Sequence, residues 1–153
     1  MRSTLMNNLE QNADPSNPYA SLPEQLHILT IDDELSIRKL LNFTLRTDYK
    51  ITEKENGIEA MMWLEDGNVP DLIVTDIEMP EMNGYTLVEI LRKSGFYREI
   101  PIIMLSARET SEERIKCLEL GADDYVLKPF NPHELKLRIS RLLDHIKRYK
   151  YHA

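Results

Sequence analysis

The chain has 153 residues, 42% of them hydrophobic and 29% charged, the balance of a globular domain with enough apolar mass for one core. Its 19 basic against 26 acidic residues give a formal charge of -7, which argues against a general nucleic-acid-binding surface, and the single cysteine, Cys117, excludes an internal disulfide and a multi-cysteine zinc site. No apolar run reaches membrane-spanning length and Met1-Arg2-Ser3-Thr4 leads into polar residues, so no membrane association and a cytoplasmic location are expected.

Residues 1–24 are rich in Asn and Pro and poor in large apolar side chains, which predicts a mobile polar extension rather than part of a core. A folded domain is expected over 25–145, followed by a basic extension of the last helix over 146–153. An apolar strand starts near Leu26 and ends in Asp32-Asp33, where Asp33 can cap a helix whose Ile37, Leu40, Leu41 and Leu45 recur at helical spacing. A polar strand over Lys50–Lys54 and an Asn56-Gly57 turn lead into a helix with Ala60, Met61 and Leu64 inward; Trp63 and its neighbouring methionines read as packing residues.

The run Leu72-Ile73-Val74-Thr75-Asp76 reads as a strand buried on both faces, with Asp76 where it meets the turn Ile77-Glu78-Met79-Pro80-Glu81-Met82-Asn83-Gly84. A helix carrying Leu87, Ile90 and Leu91 follows, then the strand Ile102–Leu105 ending at Ser106-Ala107. A helix over about Ser111–Leu120 stops at Gly121, and Tyr125-Val126-Leu127 leads through Lys128-Pro129-Phe130 to a last helix starting near Asn131. Five alternations of strand and helix with right-handed crossovers predict an α/β fold, a (βα)5 doubly wound five-stranded parallel sheet. No Gly-rich phosphate loop follows the first strand, so nucleotide binding has little support.

Singly, each polar residue at a strand end has an ordinary reading: Asp32, Asp33 or Asp76 as a cap, Ser106 as a turn residue, Lys128 as a surface charge, Tyr125 as core. Together and in order, the acidic pair, Asp-x-x-Met-Pro-x-Met-Asn-Gly, Ser-Ala and Gly-Ala-Asp-Asp-Tyr-x-x-Lys-Pro-Phe resemble the receiver domain of two-component response regulators from about Leu26 to Leu143. The resemblance implies the flavodoxin-like strand order 2-1-3-4-5, Asp76 as phosphoacceptor and Ser106 and Lys128 as its catalytic partners. It also implies a Ser106–Tyr125 switch and a cis peptide bond before Pro129. Three neighbouring carboxylates without His or Cys suit Mg2+, and the resemblance assigns it Asp33, Asp76, the backbone carbonyl of Glu78, and Asp32 through water.

The implied function is a phosphorylation-activated signalling switch, charged by a sensor histidine kinase or phosphotransfer protein. It would catalyse only its own phosphorylation and dephosphorylation. The alternative is a phosphorylation-independent docking module of the same fold. Arg114, Glu119, Asp123, Asp124, Glu134 and Arg138 match positions of intersubunit ion pairs in the winged-helix transcription-factor subfamily, which implies a possible homodimer through the last two helices. Leu135, Ile139, Leu142, Ile146 and Tyr149 form a seam that either faces the core or continues as a coiled coil. Glu78 and Arg108, each two residues beyond a site residue, are expected to pair across the cleft and hinder water.

Overall fold

The computed structural model describes residues 25–152, without the side chains of 146–152. The polar extension expected over 1–24 and the outer seam side chains Ile146 and Tyr149 lie outside the described residues.

Five strands, β1 (His27–Ile31), β2 (Lys50–Lys54), β3 (Leu72–Asp76), β4 (Ile102–Ser106) and β5 (Asp124–Leu127), alternate with five helices, α1 (Leu35–Leu45), α2 (Gly57–Glu65), α3 (Gly84–Lys93), α4 (Ser111–Leu120) and α5 (Pro132–His152). All strand pairs are parallel, in the order β2-β1-β3-β4-β5. Every residue of β3 and β4 is buried, as expected of central strands covered on both faces, whereas the edge strand β2 is half exposed.

Side chains alternate between two cores. Leu29, Ile31, Ile73, Ile102 and Met104 point toward α2, α3 and α4, meeting Leu64, Leu87, Leu91 and Cys117. Ile28, Leu72, Val74, Ile103 and Leu105 point the other way, onto Leu41 and Leu45 of α1 and Leu135, Ile139 and Leu143 of α5. The inner part of the predicted seam is thus a core stripe, with Leu143 buried and Leu142 only packed against it. Leu40 and Ile90 are 39% and 38% exposed: each lies at the margin of its helix's apolar arc.

Helix starts follow the predicted turn residues closely. Asn56, Asn83 and Thr110 each accept the backbone N–H three residues on, and Asn131 accepts those of His133 and Glu134. The exception is α1, where Glu34 is the N-cap without a side-chain bond. Asp33 does not cap; Asp32 Oδ1 accepts the Glu34 N–H at 2.9 Å instead. Asn83-Gly84 is a helix start rather than a turn, and the left-handed residue lies earlier, at Glu81 (φ 67), inside a turn closed by Met82 N–H to Pro80 C=O at 2.8 Å. Gly121 (φ 107) ends α4 as predicted.

At the amino ends of the strands, Arg92 of α3 joins two loops. Its guanidinium donates to the carbonyls of Gly121 (2.8 Å), Ile100 (2.7 Å) and Arg98 (3.0 Å) and to the Asp123 carboxylate (2.9 Å).

Candidate functional site

The register brings the ends of three central strands to one level. Ile31 lies beside Thr75, Asp76 beside Leu105, and Ser106 beside Leu127. The residues at or just beyond these ends, Asp32, Asp33, Asp76, Ser106 and Lys128, therefore crowd the carboxyl edge of the sheet where chain direction diverges from β1 and β3. Open α/β sheets place ligands there. Gly84 is needed for this closeness: a Cβ on it would clash with the Asp76 carbonyl oxygen.

Asp32, Asp33 and Asp76 each present a carboxylate oxygen within 4.8 Å of the other two, Asp32 and Asp76 buried and Asp33 exposed. The Lys128 ammonium bridges the two buried ones, 2.7 Å from Asp32 Oδ2 and 3.1 Å from Asp76 Oδ1. Lys128 is held to the neighbouring strand, its N–H donating to the carbonyl of Ser106 at the end of β4 at 2.7 Å, and its peptide bond to Pro129 is cis. Asp76 Oδ1 also accepts the Ile77 N–H at 2.8 Å, while no protein donor among the described residues meets Oδ2.

Burial, then the charge of Asp32, pushes the Asp76 carboxyl up to about 6, against the opposing pull of Lys128. Burial alone would lower the Lys128 ammonium, but its hydrogen bond to Asp32 and the charges of Asp32 and Asp76 outweigh this and hold it above its ordinary value. One ammonium thus leaves three clustered carboxylates short of positive charge. A set of hard oxygens, one reachable from solvent, fits a small divalent cation.

Ser106 is buried, its Oγ accepting the Arg108 N–H at 3.1 Å. Tyr125 is buried as well, and its hydroxyl donates to the Arg108 carbonyl. Both expected switch residues therefore meet the β4–α4 connection. Glu78 and Arg108 do pair across the mouth, at 2.9 Å, with both side chains about two-thirds exposed. Sequence reasoning missed Tyr85, whose hydroxyl donates to Glu113 of α4 at 2.9 Å; nothing local in the sequence signals a pair 28 residues apart. His27, in β1, meets Thr52 at 2.6 Å and packs edge-to-face with Trp63, their ring centroids 5.3 Å apart. Among the described residues no helix is long and apolar enough to cross a membrane.

The chain is similar to known proteins. A probable transcriptional regulator, ycf27, from Cyanidium caldarium is 43% identical over 124 residues, covering 80% of this chain and 48% of the relative. The response regulator SaeR of Staphylococcus aureus is 41% identical over 126 residues, 82% of this chain and 54% of its own. The chain spans about half the length of these curated relatives. Among solved structures, a putative response regulator from Chloroflexus aurantiacus superposes with a TM-score of 0.76 at 32% identity, covering 79% of this chain and 99% of that one. The chemotaxis response regulator CheY4 of Vibrio cholerae superposes at 0.72 with 30% identity, over 77% and 98%. The response regulator receiver domain family profile matches residues 28–140; with the five parallel strands and the acidic cluster at their ends, the chain belongs to the receiver domains of two-component response regulators.

Proposed function

We propose that this receiver accepts a phosphoryl group on Asp76 from a phosphohistidine of a sensor histidine kinase or phosphotransfer protein and passes the signal through its last two helices. The observation that carries the reading is the Lys128 ammonium spanning Asp32 and Asp76 at 2.7 and 3.1 Å. Asp76 Oδ2, free of protein donors, is the oxygen suited to attack phosphorus; an O–P bond forms as the donor's N–P bond breaks and its imidazole takes up a proton. Lys128 would meet the transferred group's negative oxygens, and the Ser106 hydroxyl, one residue beyond the Leu105 that pairs with Asp76, would donate to another.

Asp33 and Asp76, with the Glu78 carbonyl and, through water, Asp32, would hold Mg2+, which supplies charge neutralisation for the phosphoryl oxygens when bound. On this reading the chain turns over no metabolite. It catalyses its own phosphorylation and slow hydrolysis, and Ser106 and Tyr125 couple the site to α4, β5 and α5.

The test is incubation with Mg2+ and acetyl phosphate, followed by intact mass and by acid and base lability of the adduct. Wild type should gain one labile phosphoryl group and Asp76→Asn none. A labelled Asp76→Asn protein would overturn the assignment, and a cellular response surviving that substitution would favour a docking module that works without phosphorylation.

A further inference from the structure

Tyr85 of α3 and Glu113 of α4 line a cleft of about 480 Å³ together with Asp33, Glu78, Asn83 and Arg108. Glu113 is only 8% exposed. One of its oxygens accepts from the Tyr85 hydroxyl at 2.9 Å, and the other, Oε2, is buried with no hydrogen-bond partner. The Lys116 ammonium stands 4.0 Å from the Tyr85 ring centroid, holding the ring by its face.

The local sequence offers this carboxylate another place. Thr110-Ser111-Glu112-Glu113 has the spacing of a capping box, in which the threonine hydroxyl takes the glutamate's N–H and the glutamate side chain returns to the threonine's N–H. The first half is made, Glu113 N to Thr110 Oγ1 at 3.3 Å. The second is not, because Oε1 is turned to Tyr85 and Oε2 meets no donor. A buried, half-satisfied carboxylate with an unused alternative at its own helix start has two competing arrangements. Only the short link Ala107–Glu109 separates that helix start from Ser106, and the link is tied at Arg108 to both Ser106 and Tyr125.

We propose that Tyr85 and Glu113 are positioning residues for phosphoryl binding at Asp76: their bond latches the first turn of α4 to α3 and so fixes the Ser106–Arg108 link, whereas return of Glu113 to the Thr110 amide loosens it. This deepens the phosphoacceptor reading and rests on it.

The test uses the full chain with Mg2+ and beryllium fluoride as phosphoryl mimic, with amide resonances followed by NMR. Tyr85→Phe and Glu113→Ala should raise the half-saturating beryllium fluoride concentration about three- to tenfold, the scale of one lost hydrogen bond. Glu113→Gln, which keeps an acceptor for the Tyr85 hydroxyl, should stay within about twofold, a rescue that a merely structural charge would not give. Before any beryllium fluoride is added, Tyr85→Phe should also move the Thr110 amide downfield and slow its hydrogen exchange. An unmoved Thr110 amide in Tyr85→Phe, or Glu113→Gln as impaired as Glu113→Ala, would overturn the latch. Wild type without any response to beryllium fluoride would count against phosphoryl acceptance at Asp76 instead, and the Thr110 amide would still decide the latch.

Discussion

Glu78 and Arg108 lie at the mouth of the cleft with their side chains 66% and 67% exposed and 2.9 Å apart. Exposed pairs contribute only about 0–1 kcal/mol, so this one matters little to folding. Its place is what matters: on the proposed function it would span the approach of a hydrolytic water to a phosphoryl group on Asp76. If the same energy is spent on excluding that water, its loss can speed hydrolysis by no more than roughly fivefold. Glu78→Asn and Arg108→Ala should each accelerate loss of the phosphoryl group by about two- to fivefold, measured as release of inorganic phosphate after removing the donor. Unchanged rates in both would rule out a gating role.

At the scale of elements, the site depends on how closely α3 approaches the end of β3. Gly84 N donates to the Ile77 carbonyl at 2.8 Å, and a side chain there would strike the Asp76 carbonyl. Gly84→Ala should therefore destabilise the protein by about 2–3 kcal/mol in urea unfolding followed by Trp63 fluorescence. Gly95→Ala, whose added Cβ meets nothing within 4 Å, should stay within about 0.5 kcal/mol.

What the sequence made legible follows the same division. Strands β3 and β4, with Asp76 and Ser106 at their ends, were readable because a fully buried run ending in a polar residue leaves a local trace, and Asp32 and Lys128 because each follows a short, mostly apolar run. Asp33 misled as a cap because one backbone step decides which of two adjacent carboxylates reaches the Glu34 N–H. Arg92 and the Tyr85–Glu113 pair left no trace, since their partners lie up to 31 residues away and depend on how the helices stack.

For the whole molecule, the face formed by α4, β5 and α5 is the candidate for a two-fold contact. Ile115, Leu118 and Leu137 are about half exposed on these two helices. Within one chain, however, Arg138 already donates to Asp124 at 3.0 Å and to Glu134 at 2.9 Å, Asp123 is held by Arg92, and Arg114 stands 5.8 Å from the Tyr125 ring centroid. A dimer would exchange these contacts for intersubunit ones, with a small net gain. Light scattering after size exclusion should accordingly find a monomer without ligand and a dimer on adding Mg2+ and beryllium fluoride, with Asp76→Asn monomeric in both. A protein monomeric throughout would remove the dimer and leave a switch that signals to another protein.

The Arg92 fastening has a mechanical consequence. It grips the carbonyl of Gly121, just past the last turn of α4, and so makes that end a fulcrum. The other end of the same rod, about ten residues away, is the one next to the chemistry. A rod pinned at one end and released at the other, where the Tyr85–Glu113 bond now holds it, would swing rather than slide, and the proposed switch would then be felt along its whole outer surface.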